Sequence, residues 1–188
     1  MSTAEAPLLA IVRALEDAGV RWAFVGAAAR NTWAPPRLTT DIDLAVIADA
    51  ESWPRIVAAV TALGYAQAVV TMGEAGDPVP AVAVFRNESA DPPHRQVDLL
   101  VAGTEFEREA IDRAVARPLG GATVRVITRE DLIVYKLIAW RARDRQDIAD
   151  VLATAAMAGA QIDHAYVRRW AEAWEVEDRL DAALRGEA

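Results

Sequence analysis

Two aspartates stand one residue apart in the segment RLTTDIDLAV, which runs from Arg37 to Val46. Side chains of a β-strand alternate between its faces, so Asp41 and Asp43 are expected to share one face of an otherwise apolar segment. Neighbouring like charges repel, and aspartate is a poor strand former, so local structure gives no reason for the pair. A divalent cation held between the two carboxylates would remove the repulsion.

Two further features could complete such a site. The strand WAFVG ends at Gly26, and a helix is expected directly after it, so the N–H groups of its first turn could bind an anion such as phosphate. Asp98 lies on another predicted strand and could supply a third carboxylate. Metal-binding carboxylates combined with backbone donors for a triphosphate are what phosphoryl and nucleotidyl transfer require.

Each of these features also has a structural explanation. Asp41 and Asp43 could form the solvated face of an edge strand, although such strands are more often protected by lysine. Gly26 could be an ordinary turn between a strand and a helix. The presence of Asp98 on a predicted strand is equally consistent with a metal ligand and with an ordinary surface residue.

A second group of candidate residues lies further along the chain. Of the 20 basic residues 19 are arginine, and the one lysine, Lys136, falls in the apolar helical segment LIVYKLIAW. Its ammonium could serve in chemistry where a guanidinium would not, or it could simply extend along the helix to solvent. Asp144 and Asp147 could belong to the same site or form ordinary pairs with Arg141 and Arg145 on a helix surface.

The elements that would position these residues indicate an α+β fold. Strands are expected at 22–26, 42–47, 79–86, 95–102 and 121–128, with helices at 5–18, directly after Gly26, and at 52–63. The strands at 79–86 and 95–102 read as an antiparallel pair. From Thr128 onward the sequence is helical, with a capping box at Thr128 and Asp131 and interruptions near Gly159 and Trp174.

Composition excludes several other classes of site and of protein. With no cysteine and two isolated histidines, a metal would have to be bound by oxygen. A net charge of −8 argues against DNA binding. No uncharged run is long enough to span a membrane, and the N-terminus does not fit a secretory signal, so a cytoplasmic protein without membrane association is expected.

Two segments resemble a known superfamily. VGAAARNTWAPPRLTTDIDLAV (25–46) resembles the signature of the polymerase-β-like nucleotidyltransferases, a glycine followed at a distance by Asp-x-Asp between apolar residues. KLIAWRARDRQDIADVL (136–152) resembles the C-terminal motif of the AbiEii-type bacterial nucleotidyltransferase toxins and their relatives. The two motifs in this order, with Asp98 between them, are more specific than either alone.

The resemblance implies a nucleotidyltransferase core with a mixed, helix-flanked β-sheet over residues 1–127 and a C-terminal helical region over 128–188. It implies transfer of a nucleoside monophosphate from a nucleoside triphosphate, with Mg²⁺ or Mn²⁺ as cofactor and Asp41, Asp43 and Asp98 as its ligands. A catalytic role would extend to Lys136, Asp144 and Asp147. The nucleotide would be bound by Gly26, Ala27, Arg37, Thr40, Lys136 and Arg141.

The partners that the resemblance suggests are an antitoxin protein and an acceptor such as transfer RNA or a protein. One departure concerns Ala27, where the family usually has Gly or Ser, because a hydroxyl that could reach a phosphate is lost. Two alternatives therefore stay open: a nucleotidyltransferase acting on a small molecule such as an antibiotic, and a non-catalytic member of the fold that binds a nucleotide or a partner protein.

Overall fold

A computed structural model describes residues 6–73, 77, 79–90, 94–119 and 121–186. By its internal contacts the chain divides into two compact units, Met1–Ala28 with Leu38–Val126, and Ala29–Arg37 with Ile127–Ala188. The predicted α+β class is confirmed. The domain division at residue 127 stays a prediction, because contacts do not show which part folds independently.

The first unit contains the sheet and the helices around it. Its helices are α1 (Ala6–Asp17), the start of α2 (Gly26–Trp33), α3 (Trp53–Ala62) and α4 (Glu105–Arg113). Its strands are β1 (Arg21–Phe24), β2 (Ile42–Ile47), β3 (Ala66–Thr71), β4 (Val82–Arg86), β5 (Gln96–Val101), β6 (Val115–Leu119) and β7 (Ala122–Val126).

The seven strands form one mixed sheet in the order β3-β4-β5-β2-β1-β7-β6. Strand β2 pairs in parallel with β5 and antiparallel with β1, while β4 and β5 form the predicted antiparallel pair. Helix α1 contacts α3 and β1, and α4 contacts β1 and β2. These contacts bury a core whose largest fully buried side chains include Phe24, Leu44, Phe85, Leu99 and Phe106. The strands that carry the candidate aspartates therefore lie in the middle of the sheet.

The second unit is helical. It contains the remainder of α2 and the C-terminal helices α5 (Arg129–Ala139), α6 (Ala142–Met157), α7 (His164–Ala173) and α8 (Glu177–Leu184). The predicted capping box is present, because the Thr128 hydroxyl accepts from the Asp131 N–H and the Asp131 carboxylate accepts from the Thr128 N–H. Trp140 has a left-handed backbone (φ 48°) that ends α5, and α6 begins two residues later. This reversal lets α5 and α6 pack side by side.

Three elements are absent from the sequence-based prediction. Strand β3 is exposed along its whole length, so it lacks the alternation of apolar and polar residues that identifies a strand. Strand β6 contains Pro118, which argues against a strand except at a sheet edge, and β6 is an edge strand. Helix α4 could have been found from its capping box of Thr104 and Glu107.

Within the described residues, no helix is both long and apolar enough to cross a membrane.

Candidate active site

Three carboxylates converge on one face of the sheet. Asp43 and Asp98 are register partners on the parallel strands β2 and β5, and Asp41 precedes Asp43 by two residues. Each of the three offers an oxygen, and these oxygens lie within 4.8 Å of one another. All three residues are half-buried. The convergence expected from the spacing of the aspartates is therefore present in the fold.

The carboxylate cluster fits a small divalent cation. Carboxylate oxygens are the ligands that Mg²⁺ and Mn²⁺ prefer, and two oxygens on opposite sides of a bound Mg²⁺ are about 4.2 Å apart. The observed spacing of up to 4.8 Å is close to that value. Burial raises the pKa of Asp98, and the charge of Asp41 raises it further, although a hydrogen bond from Gln96 opposes both. A bound cation would relieve the same repulsion.

Gly26 meets the carboxylate cluster at a position that no larger residue could occupy. Its backbone is left-handed (φ +52°), and a Cβ built on it would lie 2.0 Å from Oδ2 of Asp43. The N–H of Ala27 donates to the same Oδ2 at 3.3 Å. The first helical turn of α2 thus faces Asp43 in this structure, and the binding of phosphate by Gly26 and Ala27 stays a prediction.

The segment before β2 and the start of β5 contribute two further residues that contact the carboxylates. Thr39 donates its hydroxyl to Oδ1 of Asp41 at 2.7 Å, and Gln96 donates its side-chain amide to Oδ1 of Asp98 at 2.9 Å. Gln96 lies two residues before Asp98 on strand β5, and this spacing was the signal that could have found it. Thr40, the threonine named from the family resemblance, instead lines an adjoining groove.

That groove has a volume of about 300 Å³. It adjoins the carboxylate cluster, because Thr40 directly precedes Asp41 and Gln96 contacts Asp98. Its walls carry more positive than negative charge, with the lining residues Thr40, Arg86, Glu88, Arg95 and Gln96.

In the second unit, Lys136 takes part in a buried ion-pair cluster. Its Nζ lies 2.8 Å from Oδ1 of Asp144 and 2.9 Å from Oδ2 of Asp147. Lys136 is 7% exposed, and the two aspartates are 1% and 2% exposed. The simpler explanations, a lysine extending to solvent and aspartates on a helix surface, are therefore wrong. Asp144 lies in the first turn of α6, where it also accepts from the Arg141 N–H and Nε.

Two further arginines converge on Asp147. Arg37 donates from Nε and Nη2 to the two carboxylate oxygens at 3.1 and 3.0 Å. Buried Arg30 forms ion pairs with Asp147 and Asp150. Its Nε lies 3.2 Å from Asp147 but is not aligned for a hydrogen bond, so we regard that contact as electrostatic. Arg30 was missed because nothing in the local sequence marks it.

These contacts hold both buried carboxylates in their charged form. Burial by itself raises the pKa of Asp144, but hydrogen bonds from Arg141 and Lys136 outweigh it and leave the pKa below its ordinary value. The pKa of Asp147 is lowered in the same way, because burial is outweighed by hydrogen bonds from Arg37 and Lys136. The cluster thus stabilises the second unit, and the catalytic and nucleotide-binding roles of these residues stay predictions.

The fold is similar to that of solved nucleotidyltransferases. The antibiotic-resistance factor ANT(2'')-Ia, in complex with adenylyl-2''-tobramycin, matches with a TM-score of 0.60 at 15% identity, over 93% of this chain and 98% of that one. The lincosamide antibiotic adenylyltransferase LnuA, lincomycin-bound, matches with a TM-score of 0.55 at 16% identity, over 80% of this chain and 97% of that one. An antigenic nucleotidyltransferase-like protein from Paracoccidioides brasiliensis matches with a TM-score of 0.54 at 16% identity, over 98% of this chain and 94% of that one.

Such low identities establish the fold and nothing more specific. No curated protein matches the sequence significantly. The family model described as nucleotidyl transferase AbiEii toxin, type IV toxin–antitoxin system, matches residues 8–184, which is nearly the whole chain. With a nucleotidyltransferase fold and clustered carboxylates on its central strands, the chain belongs to the AbiEii family of nucleotidyltransferase toxins.

Proposed function

We propose that this protein transfers a nucleoside monophosphate from a nucleoside triphosphate to an acceptor hydroxyl, with Mg²⁺ or Mn²⁺ held by Asp41, Asp43 and Asp98. The observation that carries the proposal is the approach of the three carboxylate oxygens to within 4.8 Å of one another on the central strands. Three acidic groups this close together repel one another, and a bound cation would relieve that repulsion.

The transfer is a displacement at the α-phosphorus of the triphosphate. The acceptor oxygen forms a bond to that phosphorus, the bond to the oxygen bridging to the β-phosphate breaks, and pyrophosphate leaves. When bound, the cation neutralises phosphate charge and favours deprotonation of the acceptor. Asp41, Asp43 and Asp98 would hold that cation, and Asp98 would also take up the proton of the acceptor hydroxyl.

The groove beside Asp98 is our candidate for the acceptor site. Among the described residues that line it, Arg86 and Arg95 are basic and Glu88 is acidic, so it could bind an acceptor that has an anionic group. A nucleic acid end or an acidic protein surface would meet this requirement.

The biological role that we propose is that of the toxin in a toxin–antitoxin pair. Membership of the AbiEii family supports it, since the family model describes a type IV toxin. An antitoxin partner, and an acceptor such as transfer RNA or a protein, are part of the same proposal. Rescue of growth by a neighbouring gene, after expression of this chain has arrested it, would test the role directly.

A screen of the four nucleoside triphosphates with Mg²⁺ tests the enzymatic proposal. Pyrophosphate release and mass gain are measured with transfer RNA, total protein, tobramycin and lincomycin as acceptors, and Asp43→Asn is the matched inactive control. We expect transfer that depends on one nucleotide and is absent from the variant. Nucleotide binding without transfer to any acceptor would favour the non-catalytic alternative instead.

A further inference from the structure

The three carboxylates of the proposed metal site are each held by a hydrogen bond from a different kind of donor. Asp41 accepts from the hydroxyl of Thr39 at 2.7 Å, and Asp98 accepts from the side-chain amide of Gln96 at 2.9 Å. Asp43 accepts from the backbone N–H of Ala27 at 3.3 Å. A carboxylate has two oxygens, so a donor on one of them fixes the direction in which the other points.

The donor on Asp98 is itself held in place. Gln96 and Arg86 are register partners on the antiparallel strands β5 and β4, and Arg86 donates from Nε to Oε1 of Gln96 at 3.3 Å. An arginine can only donate, so this contact requires the oxygen of the Gln96 amide to face Arg86. The NH₂ group is then turned to Oδ1 of Asp98, where an oxygen would be repelled. Arg86, Gln96 and Asp98 thus form a directed chain of hydrogen bonds along one face of the sheet.

The donor on Asp41 lies two residues before it in the chain. The Thr39 hydroxyl lies 2.7 Å from Oδ1 of Asp41 and 3.3 Å from the Asp41 carbonyl oxygen. A hydroxyl has one hydrogen, and the shorter contact assigns that hydrogen to the carboxylate. Asp41 lies just outside strand β2, which begins at Ile42, so the sheet does not fix it as it fixes Asp43. Thr39 supplies the orientation that the strand does not.

We propose that Thr39 and Gln96 are positioning residues that turn the free carboxylate oxygens of Asp41 and Asp98 towards the cation, and that Arg86 acts through Gln96. The inference rests on the proposed metal-dependent function. Groups that orient metal ligands commonly change metal affinity by about 10- to 100-fold when they are removed. Loss of either side-chain donor should therefore weaken cation binding without removing a ligand.

The test measures Mn²⁺ affinity of the full chain by electron paramagnetic resonance of free Mn²⁺, with no nucleotide or acceptor present. Thr39→Val and Gln96→Leu remove the two donors at nearly constant volume. Thr123→Val and Gln67→Leu are the matched controls, because both are exposed strand residues away from the carboxylates. Thr39→Ser keeps the hydroxyl and serves as the rescue variant.

We expect Thr39→Val and Gln96→Leu each to weaken Mn²⁺ binding about tenfold. Their melting temperatures without metal should match those of the controls, and Thr39→Ser should retain the affinity of the wild type. Wild-type affinity in both variants would overturn the positioning roles while leaving the metal site intact. The positioning roles would also be overturned if the two variants lost both Mn²⁺ affinity and metal-free stability, and if Thr39→Ser lost affinity as well. Absence of Mn²⁺ binding by the wild type would overturn both this inference and the proposed function.

Discussion

Asp43 and Asp98 occupy opposite positions on the parallel strands β2 and β5, so both side chains leave the sheet on the same face. Main-chain hydrogen bonds fix this register, so the two side chains start from neighbouring positions on adjacent strands. Their repulsion is therefore part of the metal-free fold, and a bound cation would convert it into attraction.

Asp43→Asn should leave the metal-free protein as stable as the wild type, or more stable, because it removes one of three clustered charges. Mn²⁺ should raise the melting temperature of the wild type through binding to the native state, and this rise should be much smaller in the variant. Thermal denaturation with and without Mn²⁺ measures both effects. Asp112→Asn is the control, since its pair with Arg21 is exposed. A large metal-free loss of stability, with an undiminished response to Mn²⁺, would assign Asp43 a structural role.

Gly26→Ala should both strain the backbone and displace the Asp43 carboxylate. The left-handed conformation by itself costs an alanine about 1–2 kcal/mol, and the added Cβ would lie 2.0 Å from Asp43 Oδ2. Gly19→Ala isolates the first effect, because Gly19 is also left-handed (φ +71°) and a Cβ there meets nothing within 4 Å. We expect the Gly26 variant to lose more stability in urea and to lose its Mn²⁺ response. Equal behaviour of the two variants would show that Asp43 does not depend on the glycine.

Lys136→Arg should be destabilising even though it keeps the charge. The ammonium fits between Asp144 and Asp147 at 2.8 and 2.9 Å in a buried site, and a planar guanidinium is larger and has a different geometry. Lys136→Met removes the charge altogether and should cost about 3–5 kcal/mol, the usual effect of breaking a buried ion pair. We expect the arginine variant to lie between the wild type and the methionine variant in urea denaturation.

The same Lys136 variants also test the predicted nucleotide contact. A phosphate contact made equally in the ground and transition states would raise KM, whereas one made only in the transition state would lower kcat. We expect mainly a rise in KM for Lys136→Arg at temperatures where it is folded. Unchanged kinetics in a folded variant would restrict Lys136 to the ion-pair cluster.

Acid should remove the contribution of Asp147 to stability. Its pKa is lowered from the ordinary value of 3.8 in the folded state, so the contribution is fully present above that value and is lost as the pH falls through the folded pKa. The difference in unfolding free energy between the wild type and Asp147→Asn, about 3 kcal/mol or more at pH 7, should therefore shrink below about pH 4. Asp181→Asn is the control, because its ion pair with Arg168 is exposed and should contribute at most about 1 kcal/mol. A difference that stays constant down to pH 3 would contradict the charged state of Asp147.

The sequence predicted the central features of the sheet because they depend on local rules. Alternation along a strand placed Asp41 and Asp43 on one face, and the capping box at Thr128 placed the start of α5. Edge strands β3 and β6 escaped prediction, because a strand with little burial has no apolar pattern to reveal it. Gln96 was within reach of the same alternation rule, because it lies two residues before Asp98 on β5, but it carries no charge that would single it out.

By itself, the sequence determined the fold class, the family and the type of chemistry. Apolar periodicity, the Asp-x-Asp spacing and the later lysine motif are all local patterns that can be recognised without a structure. Only the tertiary structure decided that Asp98 faces Asp43, because the register of β2 and β5 joins residues more than fifty positions apart. It also decided that Lys136, Asp144 and Asp147 are buried together rather than exposed on two helices. The burial and ion pairing of a helical residue depend on which other elements pack against the helix, and the sequence of that helix does not show which elements these are.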